Sequence, residues 1–469
     1  MIHSVYINMV LGAALFFVLA PLLGLRLLPI LVRAPESLME RTLGALSIGL
    51  LVGTLIIDVV YRLLSSIVNT SFTNSLAVSA LLLILIQKIL GKISKSRFKS
   101  TVVTWPWTLQ VSPTISRITI VGLTVLIVIA FFSPVVGNDQ FEYFAVAEIW
   151  AESGLKSYPP NLGSLNGRIV APSSHPTAFH TLIAALFLSG LPILFHIVYI
   201  AITITTFLYV AGFMPQPALY IFALIGCPIF ISQFMSRSMD PLWLSGLMIG
   251  GLTLYMQCYL LSENKYQLSK VRILLVTISS SIAITLTAGF HSLGLVTLML
   301  LCGSLLLKYR FSLRLLAMIC VASIIASPFF SQYILNLFNY GSAVQDSAPI
   351  LDLTELDFYS DLRLRRRLNS NWERVWVGAL RGFSDFVYFG FTPWVALLSG
   401  SLLLRHKNRK DQNRFVRFHL LLGGLTILFF IVTILFQIDL LVKNIRYWQI
   451  VLPSMAAVIG GGFKSGRDS

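Results

Sequence analysis

The stretch LGALSIGLLVGTLIIDVVYRLLSS, residues 43–66, is almost entirely apolar. About 20 consecutive apolar residues are needed for a helix to cross the roughly 30 Å hydrocarbon layer of a membrane, so this stretch predicts a transmembrane helix. Asp58 and Arg62 interrupt it four residues apart, which places them on one face of the helix, and we expect them to pair.

Apolar runs of this kind recur along the whole 469-residue chain. The chain is 56% hydrophobic and 12% charged with a mean hydropathy of +0.81, whereas soluble domains carry about 25% charged residues. The runs are continuous rather than alternating, which excludes an outer-membrane barrel. The sequence therefore predicts an all-α polytopic membrane protein with about thirteen spans, near residues 5–32, 43–66, 75–90, 116–135, 191–212, 217–235, 240–261, 272–289, 292–307, 312–338, 385–404, 417–437 and 446–463.

The net charge of +16 follows from Lys and Arg in cytoplasmic loops and does not indicate a nucleic-acid partner. The basic segments 87–100 and 405–414 orient the spans, so the polar regions 136–190 and 339–384 are expected outside. This orientation requires that 177–190 does not cross. About fourteen residues are too few for a comfortable span, which favours a re-entrant or interfacial helix.

The first outer region begins with acidic residues just beyond a span. Asp139, Tyr143 and Ala147 are four residues apart and share one face of a helix. A carboxylate at the water–lipid boundary can act as a general base toward a hydroxyl group. The alternative is an interfacial helix whose acids, Asp139 and Glu142, are only solvated.

Other polar side chains are predicted at the same surface. His175 and His180 are five residues apart, which disfavours a two-histidine metal site, and a structural role for each remains open. Asp240 precedes Pro241 and His291 follows a span; an Asp-Pro pair also simply begins a helix.

Lys443, Arg446 and Tyr447 lie at the outer mouth of the last predicted span, where the two basic side chains could clamp a phosphate or reach lipid headgroups instead. Arg365 and Arg366 belong to a basic cluster that breaks the positive-inside trend, so either they bind something anionic or the span count is wrong there.

These motifs resemble the membrane glycosyltransferases of the GT-C fold, which include protein-mannosyltransferase-like and aminoarabinose-transferase-like enzymes. Their first outer loop opens with Asp-Glu-x-x-Tyr-x-x-x-Ala, which here reads DQFEYFAVA, with Gln140 in place of the second acid. It closes with His/Lys-Pro-Pro, which here reads HPTAFHTL, with Thr177 in place of the second proline. SMDPLW and KNIRYWQIVLP match two later elements, and the resemblance covers residues 116–463.

The resemblance implies a sugar donor carried on polyprenyl phosphate, a hydroxyl acceptor and surrounding membrane lipids. Asp139 would deprotonate the acceptor, with Glu142 and Asp240 as further catalytic carboxylates. Tyr143, His175, His180, His291 and the basic residues named above would bind substrate or the leaving lipid phosphate. No cofactor is certain, but a divalent metal, Mg²⁺ or Mn²⁺, could be held by Asp139 and Glu142.

The implied organisation has three parts. Residues 1–100 form three additional transmembrane helices and a basic cytoplasmic loop, residues 101–463 form the GT-C-like catalytic core, and residues 464–469 form a cytoplasmic tail. Compact loops favour a bacterial inner membrane with the active site facing outward. An endoplasmic-reticulum location stays open because Asn69 begins an Asn-Thr-Ser sequon on an outer loop.

Three other interpretations remain. A transporter or flippase for lipid-linked saccharides would carry charged residues within its spans, and Arg26, Asp58 and Arg62 are the candidates. A saccharide ligase or polymerase shares the substrate class. A non-catalytic scaffold would tolerate substitution of Asp139.

Overall fold

The computed structural model describes the chain in segments. These are residues 2–32, 37–68, 70–97, 113–133, 143–144, 147–148, 151, 162–165, 168–170, 176–187, 190, 192–263, 270–291, 293–310, 312–330, 389–405, 414–435 and 445–462.

Helices account for nearly all of the described residues. They are α1 (Ile2–Ala14), α2 (Ala20–Leu31), α3 (Leu38–Val68), α4 (Phe72–Arg97), α5 (Pro113–Phe132), α6 (Ala178–Leu186), α7 (Pro192–Ala211), α8 (Pro217–Ile225), α9 (Pro228–Met235), α10 (Asp240–Glu263), α11 (Lys270–Ala288), α12 (Gly294–Lys308), α13 (Leu313–Ala326), α14 (Thr392–Arg405), α15 (Arg414–Leu435) and α16 (Leu452–Gly462). A π-helical turn, Leu15–Leu19, joins α1 to α2, and 3₁₀ turns occupy Ser327–Phe330 and Ile445–Val451.

Eight described helical segments of 18 to 28 residues are long and apolar enough to cross a membrane. Their outer faces carry large apolar side chains that no protein covers: in the segments Phe72–Lys92 and Leu313–Phe330 only 22% of the most apolar window is buried. Such surfaces suit hydrocarbon rather than water. The predicted fold class, an all-α polytopic integral membrane protein, is therefore confirmed.

Four shorter apolar helices coincide with four further predicted spans, and they are Ile120–Phe132, Gly294–Lys308, Thr392–Leu404 and Trp448–Gly462. The span predicted over residues 217–235 is not one straight helix, because α8 and α9 meet at 71°. Pro228 causes the break: proline has no N–H to donate, and it holds the preceding Cys227 in an extended conformation (φ −93°, ψ 110°).

The helix α6 lies in the segment that was predicted not to cross. It has nine residues, a length of about 14 Å, which is half of what a span requires. All nine of its residues are buried by other parts of the protein. It is therefore a short internal helix, enclosed by other parts of the protein.

The region 136–190 also contains a two-stranded antiparallel hairpin, β1 (Leu162–Leu165) and β2 (Arg168–Val170), which the sequence analysis did not predict. Asn166 and Gly167 stand between the strands. An Asn-Gly pair favours tight hairpin turns, so the signal was present in the sequence.

The helix α3 is the centre of the N-terminal half. It packs along α2, with α7 on another side and α6 near its end. The crossing with α2 is close because small residues meet there: a Cβ atom placed on Gly24 would overlap the carbonyl oxygen of Ala45. Small residues at such crossings let two backbones approach, which is how membrane helices gain packing energy.

Candidate functional site

The structure describes only some of the predicted site residues. Asp240, Tyr143, His180 and His291 have described side chains. Arg446 and Tyr447 belong to the 3₁₀ turn Ile445–Val451, and only their backbone is described. The predictions for other residues fall outside the described part of the chain, and these are Asn69, Asp139, Glu142, His175, Arg365, Arg366 and Lys443.

Asp240 begins α10 and is only 1% exposed. The Ser238 hydroxyl donates a hydrogen bond to Asp240 Oδ2 at 3.1 Å and accepts one from the Asp240 N–H at 3.3 Å. The Ser238 hydroxyl thus satisfies the N–H of Asp240, one of the unpaired N–H groups at the start of α10. The side chain that caps this helix start is therefore Ser238 rather than Asp240. The other carboxylate oxygen, Oδ1, faces a partner outside α10.

That partner is His291. Its Nε2 atom lies 3.6 Å from Asp240 Oδ1. Its Nδ1 atom accepts a hydrogen bond from the Leu293 N–H at 3.0 Å, which assigns the proton of a neutral ring to Nε2, facing the carboxyl group. The ring stacks on Trp243 with 4.6 Å between centroids and 22° between planes. An Asp–His pair with a defined tautomer results, held against an indole.

Two further side chains complete this cluster. Tyr199 of α7 donates a hydrogen bond to the Ser238 carbonyl at 2.8 Å. The buried Gln449 amide lies beside the Asp240 carboxyl group. Within the described residues, Trp243 Nε1 is buried without a hydrogen-bond partner. Native proteins pair the great majority of buried polar atoms, so the Trp243 N–H is a candidate donor to a polar ligand group.

Arg237 holds the turn that leads into Asp240. It has a positive φ of 56°, and its side chain is buried. Its guanidinium donates to the carbonyls of Met235 and Ala130 and to His196 Nδ1 at 3.2 Å. Ala130 lies near the end of α5, just before the first outer region. Arg237 is thus a structural tie between that span and the Asp240 turn.

A second cluster comes from the region 136–190, which the sequence predicts to lie outside. Tyr143 is 3% exposed and packs edge-on against Phe179 and His180, with ring centroids 5.5 and 6.0 Å away. Phe179 in turn contacts Phe195 of α7 at 6.3 Å, and Phe195 contacts Tyr199 at 5.9 Å. The two clusters are therefore continuous through α7.

The predicted pair of Asp58 and Arg62 is confirmed, with Arg62 Nε and one terminal nitrogen each 3.0 Å from Asp58 Oδ2. The other carboxylate oxygen, Oδ1, accepts hydrogen bonds from Thr177 at 2.6 Å and Thr181 at 2.8 Å. Thr177 stands where the resembling pattern has its second proline, and its hydroxyl is used here to join α6 to α3.

Sequence reasoning missed several residues of this network: Thr177, Thr181, Tyr199, Ser238, Trp243 and Gln449. Some signal was present, because Ser238 and Trp243 lie two and three residues from Asp240, and Gln449 is a polar residue at the start of an apolar run. The pairing of Asp240 with His291 carried no local signal, because 51 residues separate them in the chain.

The described residues contain no group of three His, Cys, Asp or Glu side chains that could hold a metal ion. The predicted metal ligands Asp139 and Glu142 are outside that part of the chain.

Ser238 offers a direct test of the cluster. Ser238→Ala removes the hydroxyl between the carboxyl group and the N–H of Asp240, and an unsatisfied buried polar group costs ~1–3 kcal/mol. We expect a lower thermal unfolding midpoint for the purified protein in detergent. Ser401 is the matched control because it is exposed and its hydroxyl donates only to the Leu398 carbonyl of its own helix. Equal midpoints for Ser238→Ala and Ser401→Ala would contradict the expectation.

Comparison with protein-family models, with curated proteins and with solved structures found no match for this chain.

Proposed function

We propose that this protein is an integral membrane glycosyltransferase of GT-C type with about thirteen spans. It transfers a sugar from a polyprenyl-phosphate donor to a hydroxyl acceptor on the extracytoplasmic face. One observation carries the proposal: residues from all four resembling motifs meet in one buried network. Tyr143, His180, Asp240 and Gln449 represent the motifs, and α7 connects them through Phe195 and Tyr199.

The reaction exchanges one bond at the anomeric carbon for another and moves one proton. The acceptor oxygen attacks the anomeric carbon, the bond from that carbon to the phosphate oxygen breaks, and polyprenyl phosphate leaves with the electron pair. Asp139 takes the hydroxyl proton as general base. Arg365, Arg366, Lys443 and Arg446 supply positive charge to the departing phosphate, because preorganised charge of this kind is commonly the largest catalytic contribution.

The network around Asp240 supports this chemistry by positioning other residues. A carboxyl group that is 1% exposed contacts neighbouring side chains rather than solvent, so we assign Asp240 and His291 as positioning residues. They fix the turn at residues 236–240 and leave the Trp243 N–H for a substrate hydroxyl. A divalent metal would be held by Asp139 and Glu142 and would neutralise phosphate charge.

The direct test uses purified protein in liposomes with a panel of labelled polyprenyl-phosphate sugars and a mixture of glycan, lipid and peptide acceptors. We expect at least one donor to release polyprenyl phosphate as a labelled acceptor appears. Boiled protein in the same liposomes is the control for spontaneous hydrolysis. If no donor is consumed while the protein is folded by size-exclusion chromatography, the proposal fails.

A transporter for lipid-linked saccharides is the second candidate, and two observations favour it. A charged pair, Asp58 and Arg62, is buried in a spanning helix, and α8 and α9 form a broken pair at 71°. Transporters use both features. The same liposomes distinguish the two functions, because transport moves the intact labelled lipid to the other leaflet without cleaving the sugar.

A further inference from the structure

Near its C-terminal end, α3 forms hydrogen bonds with three other segments of the chain. Tyr61 donates a hydrogen bond to the carbonyl of Ala151 at 3.4 Å, and Arg62 donates to the carbonyl of Phe329 at 3.3 Å. Asp58 accepts from the hydroxyls of Thr177 and Thr181. Residues 58–62 therefore contact the first outer region twice and the end of the segment that leads to residues 339–384.

The carboxylate of Asp58 is satisfied on both oxygens. Oδ2 accepts a hydrogen bond from Arg62 Nε and forms an ion pair with one terminal nitrogen of the same side chain. Oδ1 accepts one hydrogen bond from α6 and one from the residue before it. Asp58 and Arg62 are 2% and 4% exposed. Burying an ion pair costs desolvation free energy, which is offset only when further hydrogen bonds satisfy the charged atoms. The hydrogen bonds from α6 and Thr177 therefore help to offset the cost of burying Asp58 and Arg62.

The geometry also determines how α6 is turned. Thr177 and Thr181 are four residues apart, so their hydroxyls lie on one face and both reach a single oxygen atom. Two bonds from one face specify the position of the helix along its axis and its rotation about that axis. His180 precedes Thr181, and Tyr143 packs on its ring, so the same bonds orient the residues that follow Asp139 in the chain.

We infer that Asp58, with Arg62, is a positioning residue that orients the helix Ala178–Leu186 and Tyr143, which packs on that helix. The N-terminal helices are then an integral part of the site rather than an addition to it. The structural half of this inference stands on the contacts alone, and the effect on sugar transfer rests on the proposed function.

Substitutions at Thr177 and Thr181 test the inference while leaving the Asp58–Arg62 pair intact. The double variant Thr177→Val/Thr181→Val keeps the side-chain volumes and removes both hydroxyl donors. The double variant Thr177→Ser/Thr181→Ser keeps both donors and removes two methyl groups. If hydrogen bonding to Asp58 matters, serine is tolerated better than valine; if packing alone matters, the order is reversed.

Two measurements are made on each full-length variant in nanodiscs. Hydrogen exchange of residues 178–186 is followed by mass spectrometry, and we expect at least about tenfold faster exchange in the valine variant, since each lost bond to a charged group counts for roughly that factor. Exchange in α11 is the internal control and should be unchanged. Faster exchange in α11 as well would indicate a general loss of stability rather than a local one. Sugar transfer should fall about tenfold or more with valine and stay within about threefold with serine.

Thr54→Val is the matched control. Thr54 is buried on α3, one turn before Asp58, and its hydroxyl donates to the Leu50 carbonyl of its own helix at 2.8 Å. It should change neither measurement. If the double valine variant does not accumulate, the single Thr177→Val variant is compared with Thr177→Ser in the same way.

The outcomes separate the two claims. Local loss of protection in the valine variant supports the positioning role even if the unaltered protein transfers no sugar, which would sink only the proposed function. Unchanged exchange at residues 178–186, or better tolerance of valine than of serine, overturns the inference whatever the transfer assay gives.

Discussion

Replacing Asp139 by asparagine is expected to lower sugar transfer by about 10²–10⁴-fold, the range in which positioned general bases contribute. Asparagine has nearly the same shape as aspartate, but its amide cannot accept the proton of the acceptor hydroxyl. The measurement is the initial rate of polyprenyl phosphate release with the donor identified in the panel, normalised to folded protein.

Glu148 supplies the control for this substitution. It lies nine residues further along the same outer region and its side chain is exposed, so Glu148→Gln makes the same acid-to-amide change outside the proposed chemistry. We expect Glu148→Gln to transfer at the unaltered rate. A rate for Asp139→Asn within about threefold of that control would remove Asp139 from the mechanism, because it is far below the contribution of a general base.

The second large effect is expected on folding rather than on catalysis. Gly24→Ala adds one methyl group where α2 crosses α3. The new Cβ would overlap the Ala45 carbonyl oxygen and lie 2.8 Å from the amide nitrogen of Gly49, and both obstacles are backbone atoms that cannot rotate away. Overpacking costs ~1–3 kcal/mol, which changes the ratio of folded to unfolded protein by roughly fivefold or more.

Folded yield is measured by fluorescence-detected size-exclusion chromatography in mild detergent, together with the thermal midpoint. Gly303→Ala and Gly424→Ala are the controls, since a Cβ at either glycine has no neighbouring atom within 4 Å. Alanine favours a helix over glycine by about 1 kcal/mol, so both controls should be neutral or slightly stabilising. Equal yields for all three variants would mean that the α2–α3 crossing is not closely packed.

Much of the fold was predictable because the membrane imposes a length and a polarity on each segment. Twelve of the thirteen predicted spans each coincide with an apolar helix and the span 217–235 coincides with two, while the segment 177–190 contains only the nine-residue α6. The 71° break at Pro228 was missed, although proline carried the signal. Hydropathy averages over a window and does not detect a change of direction.

The site was less predictable. Asp58 and Arg62 are four residues apart, so their pairing could be derived from helix geometry, and Asp240 and His291 were recognised as polar residues at the ends of spans. Neither the contact between Asp240 and His291 nor the hydroxyl bonds from Thr177 and Thr181 to Asp58 could be derived. These contacts join residues 51, 119 and 123 positions apart in the chain.

By itself, the sequence determined that this is a polytopic α-helical membrane protein, where most of its spans run and which regions are polar. Those properties depend on local composition, because each apolar run must satisfy its own backbone hydrogen bonds in hydrocarbon. Only the tertiary structure decided which helix faces meet, and hence that Asp240 is paired and buried and that Asp58 holds α6. A helix presents side chains on all sides, and only packing against neighbouring helices decides which of these side chains are buried and which partners they contact.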